Sequence, residues 1–121
     1  MTPAKLDLII YRGSTFVKEI TWQTGTPAAA VNLTGCKIRM QMRPKIAETN
    51  IIDELTTENG RIVITDAAAG KFTISVPASV STGYLATYTN GVYDLEVVMP
   101  DLTTIYRIIE GKVTIVAEVT R

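Results

Sequence analysis

The chain has 121 residues, 46% of them hydrophobic, and its twelve basic and twelve acidic residues leave no net charge. This length predicts a single domain, residues 1–121, that buries about two thirds of the surface exposed by the unfolded chain. The balanced charge excludes the overall positive field that attracts nucleic acid, and the absence of histidine excludes every mechanism that uses imidazole as base, proton shuttle or ligand.

The N-terminal residues lack the pattern of a signal peptide, and no apolar run approaches the roughly 20 residues that a membrane helix needs. We therefore expect synthesis in the cytoplasm and no membrane contact. The single cysteine, Cys36, has no second cysteine with which to form an internal disulfide. Its position on the apolar side of a strand is typical of a small buried hydrophobe, and a reactive thiol is the alternative.

The first two strands are predicted to form a hairpin. Residues 6–12 alternate like a strand and end at Gly13, which can supply the positive φ of a tight turn. Residues 15–22 follow with the β-branched and aromatic content of a second strand, and Trp22 is expected to be a core anchor. Residues 23–34 are rich in Gly, Pro, Thr and Ala, which predicts a loop.

Residues 35–43 carry the clearest strand signal in the chain. Apolar and polar side chains alternate there without error, which predicts a strand with one buried and one hydrated face. Proline at position 44 ends the strand because it cannot donate to the ladder. The predicted buried face consists of Cys36, Ile38, Met40 and Met42, and the hydrated face of Lys37, Arg39, Gln41 and Arg43.

The middle of the chain predicts three short strands. Residues 51–55 and 61–65 flank Asn59-Gly60, a strong hairpin signal because both residue types accept positive φ in a tight primed turn. Residues 71–76 alternate cleanly, with the apolar side chains on one face. We expect the first two of these strands to be hairpin partners.

The last third begins with the only stretch where we expect helix, residues 78–85, in a crossover between sheets. Strands are then predicted at 92–99, 103–110 and 112–119, with a break at Gly111, as a three-stranded meander. Eight or nine short strands with at most one short helix predict an all-β protein, an immunoglobulin-like antiparallel β-sandwich.

Carboxylates are the remaining candidates for catalysis or metal binding. Asp94 and Glu96 share one face of a predicted strand, which favours a solvated sheet face. Asp53 and Glu54 point in opposite directions in an extended segment and lack the spacing of a calcium loop. The glycines are dispersed as turn residues, without a phosphate-binding loop. We therefore expect no enzymatic activity, no metal and no cofactor.

Two sets of side chains keep a binding role open. The basic residues Lys37, Arg39 and Arg43 share a strand face, which is either solvated or a docking surface for protein or nucleic acid. The other set is a candidate platform for stacking on a sugar, formed by Tyr84, Tyr88, Tyr93 and Tyr106.

Several motifs, taken in order, resemble small phage and prophage proteins. They are residues 6–16, residues 31–43 with Val-Asn-Leu-Thr-Gly before the central strand, residues 59–65, 91–97, 107–111 and 113–121. Their order is similar to the N-terminal domain of the baseplate upper protein family, which joins receptor-binding parts to the tail. The resemblance implies an immunoglobulin-like sandwich, no catalysis and a location in the virion.

On this resemblance we expect a tail or baseplate adaptor or attachment subunit that joins receptor-binding or fibre proteins to the tail. It would form a symmetric homo-oligomer and contact other virion proteins as separate chains, with no nucleic acid and no membrane. A head decoration protein and a small carbohydrate- or protein-binding module are the alternatives.

Two features indicate how such a subunit would contact its neighbours. Terminal strands at residues 6–11 and 112–119 are expected to be sheet edges that recruit a neighbour by strand addition. Polar, irregular segments outside the core supply the candidate interface residues: Arg12, Gly13, Ser14, Lys45, Ile46, Glu48, Asn50 and Arg121.

Overall fold

A computed structural model describes residues 2–120, which form eleven strands and one short helix. In chain order these are β1 (Ala4–Lys5), β2 (Leu8–Tyr11), β3 (Phe16–Thr21), β4 (Gln23–Thr24), β5 (Ala29–Ala30), β6 (Lys37–Arg43), β7 (Asp53–Thr56), β8 (Ile62–Asp66), β9 (Lys71–Val76), α1 (Ala78–Thr82), β10 (Asn90–Val98) and β11 (Ile105–Val116). β1, β4 and β5 have two residues each, and the other eight strands have four or more. The predicted all-β fold with one short helix is confirmed.

Nine of the strands form two sheets around one core, and β4 and β5 form a separate two-stranded ribbon. The larger sheet has the order β1-β11-β10-β6-β7, and β2 also pairs with β11. The smaller sheet has the order β3-β9-β8, and β4 pairs only with β5. Buried side chains from both sheets, among them Met40, Leu95 and Phe72, belong to a single cluster. The chain is therefore a β-sandwich, although β1 and β2 pair with β11 in parallel rather than antiparallel.

The central strand agrees with its sequence pattern. Ile38, Met40 and Met42 of β6 are at most 2% exposed, and the polar residues between them lie on the outer face. β6 pairs with β10 on one side and β7 on the other. Cys36 is buried just before the strand, where burial raises the pKa of its thiol. This cysteine is a small core residue, and the reactive alternative is not supported.

The predicted hairpin between the first two long strands is wrong. β2 pairs with β11 in the larger sheet, whereas β3 pairs with β9 in the smaller one. Gly13, with φ of 84°, carries the chain from one sheet to the other. A tight glycine turn serves both arrangements equally well, so the local sequence does not reveal which sheet the next strand joins.

The hairpin predicted at Asn59-Gly60 is wrong for the same reason, because β7 and β8 lie in different sheets. Gly60 has φ of 78°, but Asn59 does not have a positive φ. The amide oxygen of Asn59 instead accepts hydrogen bonds from the backbone N–H groups of Thr56 and Arg61, both at 3.0 Å. Asparagine commonly closes turns with its side chain in this way. The hairpin partner of β8 is β9.

The short helix α1 lies in the predicted crossover, between β9 of the smaller sheet and β10 of the larger one. It ends at Thr82, three residues earlier than predicted. Within residues 2–120, no helix has the length and apolar character required to span a membrane.

The last two predicted strands are one continuous strand, so the predicted break at Gly111 is wrong. Gly111 lies within β11, opposite Tyr93 of β10. A side chain at this position would overlap the carbonyl group of Leu6, which also accepts a hydrogen bond from the Tyr93 hydroxyl. Glycine is needed here for the close approach of another backbone segment. β11 is therefore an interior strand, and of the two predicted edges only β2 is one.

We predict that Gly111→Ala lowers the free energy of unfolding by about 1–3 kcal/mol, the usual cost of forcing extra atoms into a packed site. Urea denaturation measures the change. Gly83→Ala is the control, because Gly83 has an ordinary φ of −82° and the added carbon would meet no atom closer than 3.4 Å. Equal effects of the two substitutions would contradict the close approach at Gly111.

Candidate functional site

The segments predicted to form an interface lie together at one end of the sandwich. β6 ends at Arg43, opposite Val92 near the start of β10, and β11 ends at Val116, opposite Tyr11 of β2. All of these strand termini therefore lie at the same end of the larger sheet. The segments next to them form a surface that we call the loop end: residues 11–14, 44–51, 83–89 and 116–120.

Arg12 has a structural role within the loop end. Its guanidinium donates hydrogen bonds to the backbone carbonyls of Tyr84 at 2.5 Å and Leu85 at 2.9 Å, and a longer one to that of Tyr88 at 3.4 Å. Hydrogen bonds to a charged donor are stronger than neutral ones. Arg12 therefore fixes the crossover against the end of β2, and only part of its side chain is free for a partner.

Gly13 is also part of the folded framework. Its N–H donates to the Ser81 hydroxyl at 2.9 Å, and the Glu118 carboxylate packs where a side chain would begin. The turn thus joins the helix and the C-terminal segment. The Glu118 contact explains why glycine suits the position beyond its positive φ.

The other candidate interface residues lie on the surface. The loop 44–50 is anchored by Arg43, which donates to the carbonyls of Glu48 and Thr49, each at 2.9 Å. Ile46, in the middle of this loop, is 87% exposed. Exposed candidates at the loop end are Ser14, Lys45, Ile46, Glu48 and Asn50. Arg121, the last candidate, lies outside the described residues.

Large apolar side chains gather on the loop end, and sequence reasoning identified only one of them. Ile46 and Val119 are 87% and 93% exposed. The complete set is Tyr11, Ile46, Ile51, Leu85, Val116 and Val119. Apolar side chains exposed together on one surface mark sites of interaction. The sequence pattern did not predict most of this set, because these residues come close only through the pairing of strands that are distant in the chain.

The opposite end of the sandwich carries one apolar tip, in the turn between β10 and β11. Leu102 there has φ of 63° and is 62% exposed. The Asp101 carboxylate fixes the turn by accepting from the Thr103 N–H at 2.9 Å, the Thr104 N–H at 2.8 Å and the Thr104 hydroxyl at 2.5 Å. These hydrogen bonds lower the pKa of Asp101 to about 2. Leucine in this conformation is uncommon, and such positions often have a functional role.

The basic side chains of β6 are all engaged by neighbouring groups. Arg39 Nε lies 2.9 Å from a carboxylate oxygen of Glu96, and Lys37 Nζ lies 3.8 Å from one of Glu58. Arg43 is occupied by the loop carbonyls described above. The outer face of the larger sheet is thus a mixed and largely paired charge surface, which favours the solvated interpretation over a nucleic-acid footprint.

A shallow groove of about 460 Å³ lies on this outer face, beside Ile46. Arg107 Nε is 3.4 Å from an Asp94 oxygen, and Lys5 pairs with Glu110. Burial raises the pKa of Asp94, with Arg107 opposing the shift, and the hydrogen bond from Lys5 lowers the pKa of Glu110. Both carboxylates are thus held in ion pairs, and their arrangement does not define an acid–base pair directed at a substrate.

The four tyrosines do not form one stacking platform. Tyr84 and Tyr93 are 8% and 5% exposed, and burial is the main cause that raises the pKa of each. Tyr106 packs on Trp22 with ring centroids 5.9 Å apart and planes at 58°. Tyr88 is half-buried beside the crossover. The rings therefore serve the core and its margins.

A part-buried ion pair joins the two sheets, and no sequence pattern predicted it. Arg61 Nη2 lies 2.5 Å from Asp53 Oδ2, and the Tyr84 hydroxyl donates to the same oxygen at 2.5 Å. The Arg61 and Asp53 side chains are 15% and 12% exposed. Asp53 belongs to β7 of the larger sheet, and Arg61 directly precedes β8 of the smaller one. No spacing pattern in the sequence relates the three residues.

Comparisons with known protein families and with curated proteins find no match to this chain. Within residues 2–120, no group of three or more histidine, cysteine, aspartate or glutamate residues is placed to hold a metal ion. The resemblance to the baseplate upper protein family therefore stays a prediction from the order of sequence motifs.

We predict that Asp53→Ala lowers the free energy of unfolding by about 3–5 kcal/mol, because it leaves the Arg61 charge buried without its partner. Chemical denaturation measures the loss. Glu58→Ala is the control: it removes an ion pair whose side chains are 57% and 58% exposed, and such pairs contribute about 1 kcal/mol or less. A loss for Asp53→Ala as small as that of the control would show that the pair is not what joins the sheets.

The stability of the fold in acid depends in part on Asp101. The pKa of Asp101 is lowered from 3.8 to about 2 in the folded chain, so its carboxylate stabilises the fold at pH values above 3.8. This contribution is lost as the pH falls through about 2. The difference in melting temperature between wild type and Asp101→Asn should be largest near neutral pH and vanish at the acid limit. A difference that is constant across this range would contradict the role of the charge.

Proposed function

We propose that the chain is a non-enzymatic structural subunit of a phage virion, acting as a tail or baseplate adaptor or attachment subunit for receptor-binding or fibre proteins. The observation that carries the proposal is the loop end, where exposed apolar side chains gather on a surface built from rigidly anchored loops. Protein partners, rather than small substrates, bury such surfaces. The order of sequence motifs supplies the link to the baseplate family.

The position of the second exposed tip supports an adaptor in particular. β10 runs from Asn90 at the loop end to Val98, and the turn that carries Leu102 follows at the far end. An adaptor needs two separate contact surfaces, and the loop end and this tip lie at opposite ends of the same strand ladder. The charged side chains on the sheet face between these two surfaces are paired with each other, so they are not available to bind either partner.

Immunogold electron microscopy of particles from a culture that makes the protein tests the proposal. Label at the tail tip is the expected result. Label over the capsid would replace the adaptor with a head decoration protein. Protein that stays in the soluble fraction, with no labelled particle, would overturn the virion assignment in favour of a soluble binding module.

We predict that Ile46→Ser leaves the melting temperature unchanged but lowers incorporation into particles by about tenfold or more, since burying an isoleucine at an interface contributes about 1.5–3 kcal/mol. Quantitative immunoblotting of purified particles measures incorporation. Deletion of residues 45–50, which are all exposed, should weaken assembly in the same way.

Val63→Ser is the matched control for Ile46→Ser. Val63 is 53% exposed on the outer face of the smaller sheet and belongs to none of the loop-end segments. Equal incorporation of the Ile46 variant and wild type, or an equal defect in both variants, would remove the loop 44–50 from the interface.

A further inference from the structure

The sheet edges differ in how their backbone groups are occupied. The edge of β7 is closed by Asn59, whose side chain donates to the Glu54 carbonyl and accepts from the Thr56 N–H, both at 3.0 Å. β3 and β8, the edges of the smaller sheet, make no backbone hydrogen bond to another described residue on the side away from β9. With six residues, β3 is the longest open edge in the described chain.

An apolar groove of about 400 Å³ lies beside this edge, between β3 and the strands β1 and β11 of the larger sheet. Trp22, Ile108 and Ile109 line it and are each 5–7% exposed. Ala4, Leu6 and Ile20 also contribute to its apolar lining. A strand added to β3 would be able to place side chains in this groove, in the manner of peptides that extend a sheet and fill neighbouring pockets.

The pairing with β9 shows which side chains of β3 face the core. Phe72, Ile74 and Val76 of β9 are buried, and in an antiparallel ladder directly opposite residues share a face. Their partners in β3 face the core side, and the residues between them face outward. The core-side residues are Phe16, Lys18 and Ile20, and the outward ones are Val17, Glu19 and Thr21.

Lys18 and Glu19 are therefore adjacent charges on opposite faces of an open edge. Neither forms an ion pair with another described residue, whereas the charges on the larger sheet are largely paired. A charged side chain that points toward the core side of an edge strand opposes the addition of a mismatched strand. The same charge favours a partner strand that carries a residue of opposite charge at the position facing it.

A second copy of β3 is a poor partner for this edge. Two copies of an edge strand that pair antiparallel in one sheet are related by a two-fold axis perpendicular to the sheet. Directly opposite residues share a face, so one residue of the strand must lie opposite the same residue of the other copy. The two central registers place Lys18 opposite Lys18 or Glu19 opposite Glu19, and like charges directly opposite are destabilising. Shifts to other registers leave half of the strand unpaired. The edge therefore acts against self-association.

We propose that β3 is a strand-addition site for an extended segment of a different protein. The segment pairs antiparallel with β3 and carries an acidic residue opposite Lys18 and a basic residue opposite Glu19. Apolar residues lie opposite Phe16 and Ile20 on the core side, and the one opposite Ile20 lies beside the apolar groove. This partner need not belong to a virion, so the site stands apart from the function proposed above.

The probe is a synthetic peptide with the sequence Thr-Val-Lys-Glu-Thr-Val, which fits this pattern when antiparallel to β3. Titration into ¹⁵N-labelled protein should shift the amide resonances of residues 16–21 and leave those of β8 unchanged, so that the second open edge is an internal control. A peptide with lysine in place of the glutamate should bind about fivefold more weakly, because it places a like charge opposite Lys18.

Lys18→Glu should invert this preference, so that the lysine peptide binds more tightly. Lys112→Glu changes the net charge equally at a different surface and should leave the preference as in wild type. The proposal is overturned by the absence of shifts in β3 at millimolar peptide, by equal shifts in β8, or by an unchanged preference in Lys18→Glu. Self-association that protects the β3 amides would also overturn it.

Discussion

The ladder around β10 is the constraint on which the rest of the sandwich depends. β10 pairs along nearly its whole length with β6 on one side and β11 on the other, and its inward residues Tyr93, Leu95 and Val97 are 0–5% exposed. β7 attaches to β6, and β1 and β2 attach to β11. Because side chains alternate along every strand, the position of β10 determines which residues of five other strands reach the core.

Period-two alternation explains why the strands themselves were predictable. The buried face of β6 and the alternation in β9 follow directly from local sequence, since each needs only one apolar face to find a core. The crossover with one short helix was predictable for a similar reason. The pairing of the strands was not predictable. The turns at Gly13 and Asn59-Gly60 join strands of different sheets, and a turn motif specifies a local bend but not the strand with which the next strand pairs.

The candidate site was predictable only in part. Irregular, polar segments indicated the turn at Arg12 and the loop 44–50, but their proximity depends on long-range pairing between β2, β6, β10 and β11. The same dependence hid the Asp53–Arg61–Tyr84 cluster, whose members have no common spacing. At Gly111 the sequence predicted a break between two strands where the structure has one continuous strand. Glycine often ends strands, but here it is required inside β11 because the Leu6 backbone passes close to it.

The distribution of paired and unpaired charge separates the surfaces of this molecule. On the larger sheet, Arg39 and Arg107 meet carboxylates of neighbouring strands, so that surface gains little from a charged partner. On β3, adjacent opposite charges face different sides of an open edge and oppose self-pairing by symmetry. The two proposed contacts therefore lie on different surfaces: the apolar loop end would serve the proposed homo-oligomer, and β3 would stay open for the proposed strand of a different chain. Binding at one surface would not compete with binding at the other.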